Sequence, residues 1–478
     1  MAMLLLVAAT GAQGQGGAAG ASYSFVAAQD RLSSTSSALT AARAGVDASQ
    51  NSAQAVSGLN LPILSIDAQY FRYQKTLEVS LTAARNLVES SINGFLASLP
   101  VTPTVPPAVS GLVAGALKRI PDSLSTKVQQ NIWRPTVTLL WPIYTGGMSG
   151  ATQDAAQASA RQAQAELMSV SDQLGLQLVA AYFGQQLAAQ VVQTSQQNLD
   201  RFQRHLDNAL KIERQGMLSK AQRLQVEVAR NAAERQLLRA RNDYETAQAV
   251  LTRLLNESGK VQPSTPLFAQ SRPLPPAQQF VDEGRANSPA LMRLAALRDI
   301  SKSGVKAAQS LAMPQVYGFG SYNFNSDNAV LPDPDWIVGV GVHYTLFSNV
   351  DRQATESAAR AREQQAEAAW AQAGNDVATL IERSWQGVET ARQQFLLLAT
   401  NMTAAEENVR VHDLGFREGQ ANATELIDAQ VALSVAQTQR AAAAYEYDLA
   451  LAQLLAASGR MQEYAQHVAR ADQTLSLP

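Results

Sequence analysis

The sequence predicts a mainly α chain with a small β part, laid out as two copies of one helix–strand–strand–helix–helix unit. Three observations predict it. The 18 prolines leave 143–262 and 335–477 empty, and both tracts are rich in Ala, Gln, Glu, Arg and Leu. Proline inside a helix costs roughly 3 kcal/mol, so such tracts are places for very long helices. Short segments recur at a fixed spacing of 203 residues, the mark of a duplication. Four segments of about ten residues alternate apolar and polar with the period of a strand.

Taken in order, Leu4–Ala9 is apolar and small residues follow to Ala21, so 1–21 is expected to be a leader or signal peptide. The first repeat is expected over 22–256. It holds strands at about 61–73 and 134–145, an excursion at 74–133, and long helices at 148–215 and 217–256. Within the excursion Leu77, Leu81, Ala84, Val88, Ile92, Phe95 and Leu99 fall at helical spacing and end at Pro100. A Pro- and Gln-rich linker, irregular and exposed, is expected at 257–288. The second repeat, 289–458, carries strands at about 313–324 and 336–347 and long helices at 351–418 and 420–458. A tail closes the chain at 459–478. A straight helix over 148–215 would be about 100 Å long, too long for one compact domain.

The repeat is carried by particular residues. Trp141-Pro-Ile-Tyr-Thr-Gly-Gly147 aligns with Tyr344-Thr-Leu-Phe-Ser-Asn-Val350, and the same spacing carries Gln215-Gly216 onto Glu418-Gly419. Leu254-Leu255 and Ser258-Gly259 match Leu454-Leu455 and Ser458-Gly459 at 200, which reads as a three-residue slip. Upstream, Leu61-Pro62 matches Met313-Pro314 at 252. In the second copy Val338, Val340, Val342, Tyr344 and Leu346 share one strand face; in the first, Val137, Leu139, Trp141 and Ile143 do.

Composition narrows the function classes. Lys+Arg 38 against Asp+Glu 40 gives a net charge of −2, so no basic field invites nucleic acid. The absence of cysteine removes disulfides, thiolate metal sites and cysteine nucleophiles. His205, His343, His412 and His467 lie far apart, without metal-ligand spacing. No grouping of nucleophile, base and carboxylate and no phosphate loop suggests a catalytic residue, a metal or a cofactor. Aromatics concentrate instead: 13 of 29 fall in 61–73, 133–147 and 313–347, with Trp141, Trp336 and Tyr344 among them. Aromatic girdles flank membrane barrels, and about ten residues suffice for a tilted membrane strand. Four strands cannot close a barrel, since eight is about the minimum. Two readings stand at this point: strands shared between chains in a membrane barrel, or a soluble coiled-coil scaffold whose sheet covers an ordinary core.

The ordered duplication of Trp141–Gly147 with Tyr344–Ser348, of Gln215-Gly216 followed by Leu224, and of Phe416-Arg-Glu-Gly419 followed by Glu425-Leu-Ile-Asp428 resembles the TolC-like outer-membrane efflux family over about 22–460. The resemblance implies a homotrimer in the outer membrane, with four strands per chain in a twelve-stranded barrel continued by a long helical periplasmic tunnel. It implies an export duct partnered by a periplasmic adaptor (membrane-fusion) protein and an inner-membrane pump of RND, ABC or MFS type, in efflux or type I secretion. In the family, acidic positions after the second turn ring the pore constriction. That maps the gate onto Glu425 and Asp428, with Gln222 at the equivalent place in copy one and Phe416 as a latch contact. Gly216 and Gly419 become the tip turns near which the adaptor docks. Val137, Leu139, Trp141, Trp336, Val340, Val342 and Tyr344 become the lipid-facing surface and its aromatic belt. The linker and tail become an equatorial belt, and 74–133 an external loop.

Overall fold

A computed structural model describes residues 21–98, 111–112, 115–119, 121–325, 334–418, 420 and 422–475. In chain order the elements are β1 (Ala21–Tyr23), α1 (Phe25–Thr35), α2 (Ser37–Val56), β2 (Ile63–Ser80), α3 (Thr82–Ser98), β3 (Ser123–Tyr144), α4 (Met148–Arg214) and α5 (Lys220–Leu254). There follow β4 (Val261–Pro263), β5 (Leu267–Ala269), α6 (Ala277–Asn287), α7 (Pro289–Ser310), β6 (Gln315–Asn323), β7 (Trp336–His343), α8 (Arg352–Arg417), α9 (Ala423–Ala457), α10 (Tyr464–Ala469) and β8 (Gln473–Leu475). The expected leader, 1–21, lies outside the described residues except for Ala21, which opens β1.

The chain divides into two compact units, a helical one and a smaller one made of 58–147 and 312–348. In the helical unit α4 runs 67 residues and α8 runs 66. At 1.5 Å per residue each is about 100 Å long. Good helix formers and the lack of proline permit this length, and packing stabilises it: α4 lies against α2, α5, α7 and α9, and α8 against α7 and α9. Buried alanines recur every seven residues at Ala151, Ala158 and Ala165 of α4, and again at Ala359 and Ala366 of α8. Small side chains at heptad spacing let neighbouring helices approach closely.

The duplication is visible in the elements themselves. A spacing of 252 carries α1 onto α6, the start of α2 onto that of α7, and the start of β2 onto that of β6. A spacing of 203 carries the end of α4 onto the end of α8, and both ends of α5 onto those of α9. It also carries Asn256 (φ 53°) onto Gly459 (φ 72°), the left-handed residues that close α5 and α9. The three-residue slip suggested by the Leu-Leu and Ser-Gly matches is therefore absent. Those letters coincide, while the capping geometry keeps the spacing of 203.

The linker and tail depart from the expected irregular, exposed segments. β4 pairs in parallel with β1, and β5 pairs antiparallel with β8. Phe268 is buried in an aromatic hub with Phe25, Tyr182, Phe183, Tyr447 and Tyr464, ring centroids 5.0–6.2 Å apart. Polar groups of α4 hold the linker in place. Gln185 donates to Val261 O at 2.9 Å, Gln186 donates to Pro263 O and Thr265 O, and the Tyr182 hydroxyl donates to Tyr23 O at 2.7 Å while accepting from Thr265 N. Backbone oxygens buried beside a helix wall need such donors, and glutamine supplies them without charge.

In the smaller unit the four long strands form one antiparallel sheet in the order β2-β3-β6-β7. β2 and β3 are longer than expected: they pair from Ile63–Leu140 out to Ser80–Ser123, so much of 74–133 is strand. The helical spacing that begins at Leu77 becomes helix only from Thr82. Leu99 and the Pro103, Pro106 and Pro107 stretch lie outside the described residues. β6 and β7 are shorter than expected, and Tyr344 follows the end of β7.

Candidate functional site

Two surfaces carry the residues singled out by the sequence. The first is one face of the sheet. Cross-strand register aligns Leu64–Leu139–Gly320–Val338 in one row and Ile66–Val137–Tyr322–Trp336 in the next. Trp141 pairs with Gly318 and that residue with Val340, and Val316 pairs with Val342. Paired residues share a face, so Val137, Leu139, Trp141, Trp336, Val340 and Val342 lie on one continuous apolar surface. It is open: Leu64, Ile66, Val338, Val340 and Val342 are about 70% exposed. The reverse face pairs Ser65 with Thr138, Asp67 with Thr136 and Gln69 with Arg134.

Aromatics bound this surface. Tyr70 sits opposite Trp133 at one end, and Trp141 and Tyr144 lie toward the other, with Tyr344 just beyond β7. From Trp133 to Trp141 the strand covers about 27 Å, at roughly 3.4 Å per residue, against an apolar band about 25 Å tall in outer-membrane barrels. Past Tyr70 the same face turns wholly polar. Arg72 donates to Gln129 there, Gln129 donates to Gln74 at 2.6 Å, and Ser123 donates to Glu78. The apolar residues change sides, with Phe71 opposite Ile132 and Val79 opposite Leu124. On the first face the apolar stretch of this strand pair therefore ends at Tyr70 and Trp133.

Gly339 and Gly341, on the polar face, have a reason the sequence hid. A Cβ on Gly339 would lie 2.8 Å from the Phe319 ring, and one on Gly341 would lie 2.5 Å from that of Tyr317. The rings lie across the bare backbone of the neighbouring strand.

The second surface is the pair of turns joining α4 to α5 and α8 to α9. Gly216 has φ +75°, and its N–H meets Glu213 O while Met217 N–H reaches back to Ile212 O at 3.2 Å. This closure needs a left-handed residue, which glycine provides without a steric penalty. In the second copy Gln420 N–H reaches Gly415 O at 2.8 Å, the same bond 203 residues on. Gly419 itself lies outside the described residues.

Both following helices begin with a reciprocal capping box. Ser219 Oγ accepts from Gln222 N at 3.3 Å, and Gln222 Oε1 accepts from Ser219 N at 3.1 Å. Asn422 Oδ1 accepts from Glu425 N at 3.0 Å, and Glu425 Oε2 accepts from Asn422 N. Gln222 and Glu425 are thus the third residues of two equivalent caps, a role their spacing from Ser219 and Asn422 announces. Glu425 stays half exposed, with His412 Nδ1 3.9 Å away, and Asp428 is exposed one turn later. Their carboxylates share a helix face.

Phe416, the expected latch contact, is 3% exposed and packs with Ala209, Val226, Ala423 and Leu426 in a small core that joins the two turns. Beside this core lies an apolar groove of about 620 Å³ between α5 and α9, lined among others by Phe202, Val228, Ile427, Val431 and Val435. It was not legible in the sequence, because its walls come from two repeats.

Among the described residues no group of His, Asp or Glu could hold a metal ion, and no helix is long and apolar enough to cross a membrane. The fold is similar to that of solved outer-membrane proteins. VceC of Vibrio cholerae matches with a TM-score of 0.68 at 13% identity, over 91% of this chain and 96% of that one. The outer membrane channel MtrE of Neisseria gonorrhoeae, solved in an open state, matches with a TM-score of 0.69 at 15% identity, over 91% and 89%. The CmeC outer membrane channel of Campylobacter jejuni matches at 0.70 and 11%, over 93% and 88%. Among curated proteins, Protein CyaE of Bordetella pertussis is 26% identical over 267 residues. That match covers 54% of this chain, which spans about half the length of that relative (56%). The sequence model of outer membrane efflux proteins matches residues 28–257 and 280–460, nearly the whole of both repeats. The chain belongs to the outer membrane efflux protein family, and its place is the outer membrane.

Proposed function

We propose that this chain is one third of a passive export duct. The observation that carries the reading is the four-stranded sheet, with an open apolar face and with β2 and β7 at its edges. Four strands cannot close on themselves, and an open edge in hydrocarbon leaves backbone groups unpaired. Three copies supply twelve strands and no edge. The sets of α4, α5, α8 and α9 then continue the barrel as a periplasmic tunnel. The linker and tail form a belt around that tunnel, and α3 with its flanking segments lies outside the cell.

The chain carries out no chemistry in this reading. Energy comes from an inner-membrane pump of RND, ABC or MFS type, in efflux or type I secretion. A periplasmic adaptor docks near Gly216 and Gly419. The groove between α5 and α9 supports this, because its exposed valines suit the apolar face of a partner helix. Asp428 and Glu425, repeated three times, place carboxylates at the inner entrance and disfavour anions. Mass measurement in detergent, after separating inner from outer membranes, tests the assembly. A particle near three times 51.2 kDa, less any leader, in the outer-membrane fraction is expected. A soluble monomer or dimer overturns it in favour of a scaffold.

A further inference from the structure

Copy two buries an acid that copy one leaves in solvent. Asp448 of α9 stands 203 residues after Glu245 of α5, and Tyr447 beside it stands 203 residues after Tyr244. Glu245 is exposed, whereas Asp448 has no exposed surface. Linker and tail lie over it. β5 and α10 both pack on α9. The Tyr464 hydroxyl of α10 donates to the backbone oxygen of Asp448 at 3.3 Å. The Phe268 ring of β5 lies 6.0 Å from that of Tyr447 and 6.1 Å from that of Tyr464.

Nothing around this carboxyl balances a charge. Neither of its oxygens has a hydrogen-bond partner, and Asp448 forms no ion pair among the described residues. Burial holds the carboxyl well above the usual carboxylate range, against a smaller downward pull from the Phe268 amide of β5. The titratable groups that face it are Tyr445 and Tyr447 on its own helix and Tyr464 on α10, all raised above their ordinary value by burial. Beyond them, Arg392 of α8 and Asp472 of the tail act on Tyr447. Arg392 is already committed to Glu389 at 2.5 Å and to Ser271 O at 2.7 Å. A neutral acid in such a place costs what a buried polar group costs, and an isolated carboxylate costs far more.

We propose that Asp448 is a proton-held clasp: as the neutral acid it lets β5, α10 and β8 seat on α9, and its ionisation loosens them. The clasp works in one direction. An acid that holds its proton more tightly when covered than when released favours the covered state at low pH. That advantage shrinks as pH rises from the usual carboxylate range to the raised value. The acids and the histidine of the tail work the other way. A hydrogen bond from Ser271 holds Asp472 below its usual range, and one from Arg460 does the same for Glu463. Burial holds His467 below its own. All three weaken the seating as pH falls, so the sign of the pH dependence identifies Asp448. The clasp stands apart from the channel reading and requires only the fold.

Amide hydrogen exchange of the full-length protein in detergent, from mildly acid to mildly alkaline pH, tests it. Protection factors corrected for the intrinsic exchange rate read the opening alone. Protection of the amides in β5, α10 and β8 falls as pH rises, by up to about tenfold per pH unit, the slope that one proton gives. Asp448→Asn keeps the shape of the neutral acid and cannot ionise, so the fall disappears or reverses. Protection that stays constant or rises with pH in the unaltered protein would overturn the assignment, as would an equal fall in the asparagine variant. If that variant fails to assemble, the sign of the slope in the unaltered protein decides alone.

Discussion

The two turns share a backbone and differ in chemistry. At the spacing of 203, Glu213 and Arg223 of the first copy stand where Phe416 and Leu426 stand in the second. Arg223 Nε meets Glu213 at 3.1 Å and also pairs with Glu227. Phe416 and Leu426 are buried together. At this pair of positions an ion pair spans the first hairpin and an apolar pair the second, while the small core around Phe416 also takes Ala209 and Val226 from the first. The strands diverge as well: β2–β3 runs out to Ser80 and Ser123, whereas β6–β7 spans only Gln315–Tyr322 and Trp336–His343. After duplication the caps and turns, which set backbone geometry, have stayed alike, while side chains and strand lengths have parted.

The largest effect that follows is at the joined turns. Phe416→Ala empties a buried ring site, at a cost of about 3–5 kcal/mol. Glu213→Ala, the equivalent change in copy one, removes one side of a partly exposed ion pair, which is worth below about 1 kcal/mol. Hydrogen exchange of amides flanking both turns reads the difference locally. Equal loss of protection in the two variants would mean that the ion pair and the apolar pair close their hairpins with similar strength.

The second contrast lies on the sheet. Val340→Lys puts a charge in the middle of the apolar face, at a cost of about 2–4 kcal/mol in lipid, and should lower the yield of assembled particle. Thr76→Lys lies on the same face of the first strand pair, beyond Tyr70, and should assemble normally. Comparable yields of the two variants would refute the boundary at Tyr70 and Trp133.

That boundary explains much of what the sequence concealed. The offsets of 203 and 252 were readable because proline, strand alternation and turn residues repeat. The length of β2–β3 was not, because the apolar residues change sides after Tyr70 and Trp133. Broken alternation followed by Leu77, Leu81 and Ala84 resembles helix spacing. The false slip at the end of the repeat arose because an asparagine, Asn256, takes the left-handed place that Gly459 fills in the second copy, so letter matching favoured Leu-Leu and Ser-Gly. The burial of Phe416 is not legible either, because a lone aromatic beside a turn gives no hint of which helices enclose it. The caps carry a local signature in Ser219-x-x-Gln222 and Asn422-x-x-Glu425 that goes unused when both third residues are taken only as gate positions.

The smallest expected effect separates those two roles. Ser219→Ala and Asn422→Ala should each cost about 1 kcal/mol, read as faster exchange in the first turn of α5 or α9. Glu425→Gln installs in copy two the residue that copy one already has in Gln222, so the box can close without charge. Amide protection at the start of α9 should be kept, apart from a few tenths of a kcal/mol from the lost charge near the helix N-terminus. If Glu425 also serves the entrance, this variant shifts cation preference in bilayer recordings, and adding Asp428→Asn shifts it further. Unchanged selectivity in the double variant, with protection intact, would leave Glu425 as a cap alone and remove both carboxylates from the entrance. The comparison of the copies favours a division of labour. Copy one shows that the cap needs only an amide at this position, so the charge that copy two adds at Glu425 is free to act on what passes.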